Sequence, residues 1–462
     1  MAGNLNFLRC SCSFRLFSGD HRSNLRSLSF SQHSFNSSFS SRSSISGLIQ
    51  PPSTAVHHHC SATFHPDSSH ILSLTLAGNL LLGGSSNAQI HLFPLHPAAA
   101  DADDFISIPC TSAVKSIQIV DENTLVTAHQ DNKIRVWKIE DELRVVATLP
   151  TLKDRLTKVL FAKNYVRVRR HKKLTWVHHV DAVASLAVSV DGALIYSGSW
   201  DRSFKVWRRS DFKCLESVSN AHDDAINAIV LSDDGFVYTG SADKKIKVWR
   251  NNKKDKKHEL IDSLEHHKSA VNALAYDNHG SILYSGVCSG VVIASERNSG
   301  GSDGRHMVVV GGLLGHKRAI LCVGVVSGLV CSGSADKTVR LWRRSQKNGY
   351  SCLGVLEGHG GPVKCLAMAA ESSDDDDYDG NRYTVYSGSL DGEIKSSQCG
   401  TLTRPLHQRL DREPRRVTRG PGEGHERTRI GPREGQERGG MLVPRVVDLG
   451  SDTMLEYVEP QD

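Results

Sequence analysis

One sentence of sequence is written over and over along this chain. SGSWDRSFKVW (197–207), TGSADKKIKVW (239–249) and SGSADKTVRLW (332–342) are three close copies, and TAHQDNKIRVW (127–137) is a fourth. SGSLDGEIK (387–395), SGVCSGVVIAS (285–295) and GGSSNAQIHLF (83–93) are weaker ones. With the aspartate slot as ruler, the copies stand at Asn87, Asp131, Asp201, Asp243, Ser289, Asp336 and Asp391, most of them 42 to 47 residues apart. That spacing fits four short strands and their turns. A fixed period of this length restricts the chain to a repeat architecture.

A second signal keeps step with the first. His179-Val-Asp-Ala-Val, His222-Asp-Asp-Ala-Ile, His267-Lys-Ser-Ala-Val, His316-Lys-Arg-Ala-Ile and His359-Gly-Gly-Pro-Val each precede an aspartate slot by about 20 to 30 residues. Two interlocked signals at one period predict a radial array of small sheets. No such sheet buries both faces alone, so neighbours stack around a channel.

These residues resemble the WD40 repeat family, and the resemblance runs over roughly 57–395. It implies an all-β, seven-bladed propeller. It also implies that a loop His, a strand Ser or Thr, a turn Asp and a strand Trp form a hydrogen-bonded tetrad in each blade. The matching sets are His179, Ser197, Asp201 and Trp207 in blade three; His222, Thr239, Asp243 and Trp249 in blade four; and His316, Ser332, Asp336 and Trp342 in blade six. Blade two keeps Thr127, Asp131 and Trp137 but has Cys110 where His is expected. Blade five has Ser289 for Asp and Ser295 for Trp, and blade one has only Gly83, Asn87 and Phe93. Blades one, five and seven are therefore expected to be looser. The stretch 150–183 is similar to the insert of plant WD-repeat proteins of the Jingubang type.

Three segments follow: a Ser-rich leader (1–56), the propeller (57–395) and an Arg/Gly-rich tail (396–462). The first 50 residues carry Arg9, Arg15, Arg22, Arg26 and Arg42 against Asp20. Such composition suits disorder, with an organellar transit peptide as the alternative. After Lys395 the repeat should continue with Val-Trp, but the chain reads Ser396-Ser397-Gln398-Cys399. The last blade is thus expected to be incomplete and its closure by an N-terminal strand near Cys60–Phe64 weak. The tail has eleven Arg, eleven acids and no Lys, a shift that suits a disordered segment from a changed frame or splice.

The set His–Ser–Asp invites a nucleophilic reading. Here it recurs in several blades, whereas a catalytic site is normally built once, so an enzyme is not expected. The tract His57, His58 and His59 lacks a Cys or carboxylate cluster, and the 11 Cys include no CxxC pair; no metal or cofactor is expected. No apolar run approaches the roughly 20 residues of a membrane span.

Protein partners are expected instead. Between Lys153 and Lys173 the insert holds Lys153, Arg155, Lys158, Lys163, Arg167, Arg169, Arg170, Lys172 and Lys173 against Asp154 alone, a net +8 that exceeds the +6 of the whole chain. A basic loop expected on the partner-binding face favours acidic or phosphorylated ligands. A solvated charge run and a nuclear import signal at Arg169–Lys173 are the competing readings. Trp200, before Asp201, is a candidate aromatic anchor. Ser372 and Ser373 precede Asp374–Asp377 and suit an acid-directed kinase. The expected function is a monomeric, non-catalytic scaffold of the cytoplasm or nucleus. The alternatives are a ubiquitin-ligase substrate receptor and a nucleic-acid-associated propeller. Trp137, Trp207, Trp249 and Trp342 are followed by Lys or Arg instead of Asp, which counts against the ligase reading.

Overall fold

The computed structural model describes residues 56–66, 69–95, 105–140, 143–159, 165–169, 172–252, 254–255, 257–279, 281–298, 306–345, 349–371 and 382–401. Among these, seven antiparallel four-stranded sheets follow one another as blades: 71–109, 114–149, 183–218, 226–264, 271–314, 320–356 and 363–401. The last is completed by the strand Val56–Phe64. One short helix, Leu152–Val159, and a two-stranded hairpin, Tyr165–Arg169 with Lys172–Thr175, fill the insert between blades two and three.

The buried apolar residues form seven clusters, each spanning the seam between two neighbouring blades. A thin antiparallel sheet cannot bury a core by itself, so every blade depends on both neighbours. The repeated Ser-Gly or Thr-Gly marks where they touch. A Cβ on Gly240 would lie 2.7 Å from Val271 of the next blade, and one on Gly388 would lie 2.7 Å from Ile71 across the closure.

The repeat tryptophans fill the same seams. Trp207 packs between blades two and three, Trp249 between three and four, and Trp342 between five and six. Blade five has Ser295 in this slot, and its seam is filled by Met307 and Tyr238, with Tyr238 stacked on Tyr276 at 5.2 Å. Blade one uses Phe93, which packs with Phe64 and Phe105 at centroid distances of 5.0 and 5.4 Å.

The expectation of an incomplete last blade is corrected. Its third strand does not stop at Lys395 but runs Ile394–Thr401. The N-terminal strand pairs with it from Phe64↔Ile394 to Val56↔Thr401. The ladder uses backbone groups, which Ser396 and Ser397 supply as well as Val and Trp would. Ser61 Oγ adds a bond to Ser396 Oγ at 3.0 Å across the closure. The missing indole is offset by Tyr383 and Cys399, both buried in the seam against blade six. The leader to residue 55, the tail from 402, and Ser372 and Ser373 lie outside the described residues.

Candidate partner-binding face

In blade three the Trp207 indole N–H donates to Ser197 Oγ at 2.9 Å, the Ser197 hydroxyl to His179 Nε2 at 2.9 Å, and His179 Nδ1–H to Asp201 Oδ2 at 2.9 Å. This chain of donors and acceptors places the ring proton on Nδ1. Blade four repeats it through Trp249, Thr239, His222 and Asp243 at 2.9, 2.8 and 2.8 Å. Blade six does so through Trp342, Ser332, His316 and Asp336 at 2.8, 2.9 and 2.8 Å. The hydroxyls are fully buried, with Ser197, Thr239 and Ser332 at 0% exposure, so no substrate reaches them. Burial works to raise the Asp201 carboxyl, but the His179 ring and the Ser203 hydroxyl hold it far below the ordinary range. Asp243 and Asp336 are likewise held down to about 2 against burial, by bonds from His222 and from Thr338, the Lys317 amide and His316.

The other blades depart from this pattern. In blade two the histidine comes from the strand, not the loop. His129 Nε2 accepts the Thr127 hydroxyl at 2.7 Å, and His129 Nδ1–H donates to the Ser112 carbonyl at 3.0 Å. Asp131, released from histidine, takes Arg135 instead, with Nη2 to Oδ2 at 2.6 Å. Cys110 stands in the expected loop position, half-buried, its thiol pushed up by burial to about 11. The sequence reading missed His129. Its alternation with Thr127 on one strand face was the available signal. In blade five His267 Nε2 bonds Ser285 Oγ at 2.8 Å, but Nδ1 is buried with no partner, because Ser289 is not an acid. In blade seven His359 bonds Ser387 at 2.8 Å and Asp391 at a longer 3.3 Å.

In blades three, four, six and seven the histidine arrives from the loop before the blade and the Asp from its middle turn, so these loops share one rim. The seven middle turns each hold one left-handed residue: Ala88, Asn132, Arg202, Lys244, Gly290, Lys337 and Gly392. Arg202, Lys244 and Lys337 adopt φ of 69, 71 and 75° and are exposed. Such a backbone costs a non-glycine residue roughly 1–2 kcal/mol. Lys268, Lys317 and Arg318 project from the preceding loops, also exposed, while Asp223 and Asp224 are the exposed acids of the matching loop in blade four.

The rim leads into the channel. All seven inner strands slip register near their start, between Val114 and Ser116 and between Val363 and Cys365 among others. The skipped residues of blades two and seven are Lys115 and Lys364. Burial, and then the charge of Lys364, pushes the Lys115 ammonium down to about 8. Trp200 is half-buried, and the Lys115 ammonium lies 5.2 Å from its ring centroid.

The basic insert is only partly described. The backbone strands Tyr165–Arg169 and Lys172–Thr175 are described, but Arg170 and the side chains of Arg167, Arg169, Lys172 and Lys173 lie outside the described residues. The helix before them is not on the rim, which corrects the expectation for that part of the insert. Its Asp154 carboxylate accepts the Cys214 N–H at 2.9 Å. Cys214 opens the outer strand of blade three and pairs with Trp207, at the end of that blade away from the Asp201 turn.

Among the described residues, His359, Asp391 and Glu393 form one group with metal-ligand spacing. It does not fit a resident ion. His359 is committed to Ser387 and Asp391, and the Lys395 ammonium sits 2.9 Å from Glu393 Oε2. No helix among the described residues is long and apolar enough to cross a membrane.

A family model described as WD domain, G-beta repeat matches residues 171–208, 212–250, 258–293, 307–343 and 350–396. These correspond to blades three to seven. Blades one and two, which lack the loop His of the full network, fall outside the matched stretches. A similar protein, pre-mRNA-processing factor 19 homolog 2 of Arabidopsis thaliana, is 30% identical over 130 residues, 25% of this chain and 23% of that protein. The chain therefore spans about a quarter of that relative's length.

Proposed function

We propose that this chain, five of whose blades match the WD40 repeat model, is a protein-interaction scaffold of that generally non-catalytic kind and binds acidic or phosphorylated protein partners across its rim and basic insert. The carrying observation is the charge of the rim. Arg202, Lys244 and Lys337 stand at strained turn tips, and the tetrad aspartates below them are spent on internal bonds. Basic side chains held in a costly backbone conformation suit recognition better than stability. Lys115, Lys364 and Trp200 extend the same cationic surface into the channel mouth.

The insert is the second half of this reading. Arg167, Arg169, Arg170, Lys172 and Lys173 lie beside each other in sequence and form a concentrated positive segment. Its resemblance to the Jingubang-type insert supports a place in that plant subfamily. The likeness to a pre-mRNA-processing factor favours partners that take part in pre-mRNA processing. Affinity purification tests the function. Reversing Arg202, Lys244 and Lys337 to Glu, or changing the five insert bases to Ala, is expected to deplete partners recovered with the wild type. Identical recovery from all three proteins would remove the reading.

Nucleic acid is the second reading, favoured by the same charge. It requires binding of RNA or DNA that falls steeply with salt. Absence of binding at low salt eliminates it.

A further inference from the structure

The inner strand of every blade skips one residue near its start, and these bulge residues stand at corresponding places around the channel mouth. In blades four and five the bulge residue is Asn, and each is spent on the next blade. Asn227 Nδ2 donates to the Val271 carbonyl at 2.9 Å, and Asn272 Nδ2 donates to the Ile320 carbonyl at 2.8 Å. In blades two and seven the bulge residue is Lys115 and Lys364. Neither ammonium makes a hydrogen bond or an ion pair with any described residue. Blade one lies between them, its inner strand packed on the inner strands of both. Its own bulge residue is Leu72, buried and apolar, so no polar side chain separates the two lysines in the ring.

Both lysines are half-buried, and the charge of Lys364 works with burial against the charged form of Lys115. The Lys115 ammonium rests 5.2 Å from the centroid of the Trp200 ring. Such a contact holds a cation in place without neutralising it. Buried charges are ordinarily paired with an opposite charge from the chain. Two neighbouring cations that no acid of the chain answers are stabilised most by a doubly charged anion. A carboxylate brings a single charge and answers one lysine. A phosphomonoester carries about −1.5 to −2 at neutral pH, and its three acceptor oxygens can take a hydrogen bond from each ammonium at once. The phosphodiester of a polynucleotide again brings a single charge. The mouth is ringed by the exposed turn tips Arg202, Lys244 and Lys337, which offer surface to a chain that carries the phosphate.

We propose that Lys115 and Lys364 together bind one phosphomonoester dianion, that of a phosphoserine or phosphothreonine on a partner protein, at the mouth of the channel. The proposal rests on the reading of the rim as a partner surface and narrows it to one modified side chain. Trp200 is the wall against which Lys115 rests. Burial of Leu72 between the lysines keeps the surroundings apolar, which strengthens bonds to an anion. The exposed rim cations steer an anionic partner toward this point and govern how fast it arrives.

The test uses the full chain and three peptide libraries with randomised flanks and a fixed central phosphoserine, Ser or Glu. Retention is measured on wild type, on Lys115→Gln, Lys364→Gln and their double variant, and on the rim variant Arg202→Glu/Lys244→Glu/Lys337→Glu. The Gln changes remove repulsion between half-buried charges, so their urea midpoints are expected to match or exceed that of the wild type. Wild type is expected to retain the phosphoserine library about tenfold better than the other two, and each single Gln variant to lose about tenfold, as suits one charge-assisted bond. The titration of Lys115, followed by NMR, is expected to move upward in Lys364→Gln; an unmoved titration overturns the paired site. Equal retention of the phosphoserine and Glu libraries overturns the dianion. Undiminished retention by the double variant overturns the site. If the rim variant alone loses retention, the lysine pair falls and the rim reading stands. If the double variant alone loses it, the lysine pair stands and the rim tips fall as the docking surface. If neither loses it, both fall. Inorganic phosphate that shifts the Lys115 signal, without retention of any phosphoserine peptide, overturns a protein source and assigns a free anion. Binding of a polyuridine strand that depends on the two lysines, again without peptide retention, overturns it in favour of RNA.

Discussion

His129 Nε2 lies 2.7 Å from Thr127 Oγ1, two residues earlier on the same strand, and Trp137 donates to that same hydroxyl at 2.8 Å. Blade two thus holds its tryptophan with a histidine from a place the repeat does not provide. Asp131 is freed and becomes the partner of Arg135. His129→Ala is expected to destabilise the fold by about 1–3 kcal/mol, because it strands a buried hydroxyl. Cys110→Ala, at the loop position, should cost about 0.5 kcal/mol or less. Urea unfolding of the two variants decides which residue holds the blade; equal losses would contradict the assignment.

Blade five has the opposite defect, a histidine with its Nδ1 buried and unpaired. Ser289→Asp should supply the carboxylate that Asp201, Asp243 and Asp336 supply elsewhere. A charge-assisted bond of this kind is expected to add about 1–3 kcal/mol. The titration of His267, followed by NMR, should move upward. A lower unfolding midpoint with no upward shift would show that the slot cannot seat an acid.

Acid should unfold this protein partly through its neutral histidines. Burial, then the Arg135 charge, pushes His129 down to about 4, and burial, then the neighbouring His266, pushes His267 down to about 3. Their ordinary value is about 6.5. Between these values the unfolded chain binds more protons, so stability is full above about pH 6.5 and falls as pH drops toward 4. Each such group contributes a slope of about 1.4 kcal/mol per pH unit. His267→Gln should flatten the loss of stability between pH 6.5 and 4 by one proton's worth, read from urea midpoints across that range. An unaltered slope would place the titrating group elsewhere.

The closure of the ring hangs on the N-terminal strand. Phe64 ends that strand opposite Ile394 and packs on Phe93 of blade one at 5.0 Å. Phe64→Ala is expected to cost about 1–3 kcal/mol. Deleting residues 1–64 should cost more and leave the edge 394–401 unpaired, so that the protein aggregates on warming. Light scattering during a thermal ramp reads this; a truncated chain as soluble and as stable as the whole would contradict it.

The left-handed turn tips separate stability from binding. Lys244→Gly and Lys337→Gly relieve the positive φ, offset in part by the greater freedom glycine gives the unfolded chain. Stability should therefore stay level or rise by up to about 1 kcal/mol. Recovery of partners in affinity purification should fall in the same variants. A loss of stability together with unchanged recovery would show that these lysines serve the fold alone.

The period and the identity of the repeat were legible in the sequence because a blade needs the same small set of groups at the same places. Gly240 must be small where Val271 packs, and Trp249 must reach Thr239. These demands are local and leave their mark as repeated letters. The sequence also showed where blades one, two, five and seven depart from the rule. It could not show what fills the vacated slots, because the replacements come from other strands and other blades. His129 stands in for a loop residue, Met307 and Tyr238 fill the seam beside Ser295, and Tyr383 and Cys399 fill the seam beside Ser397. The completion of blade seven was hidden for a related reason. Strand pairing is made by backbone groups that every non-proline residue carries, so Ser396-Ser397-Gln398-Cys399 extends the ladder although it breaks the repeat. The inward turn of Asp154 was decided by the distant Cys214 amide, which donates to its carboxylate. Sequence fixes which groups recur; only tertiary contact between blades decides which side chain occupies each shared seam.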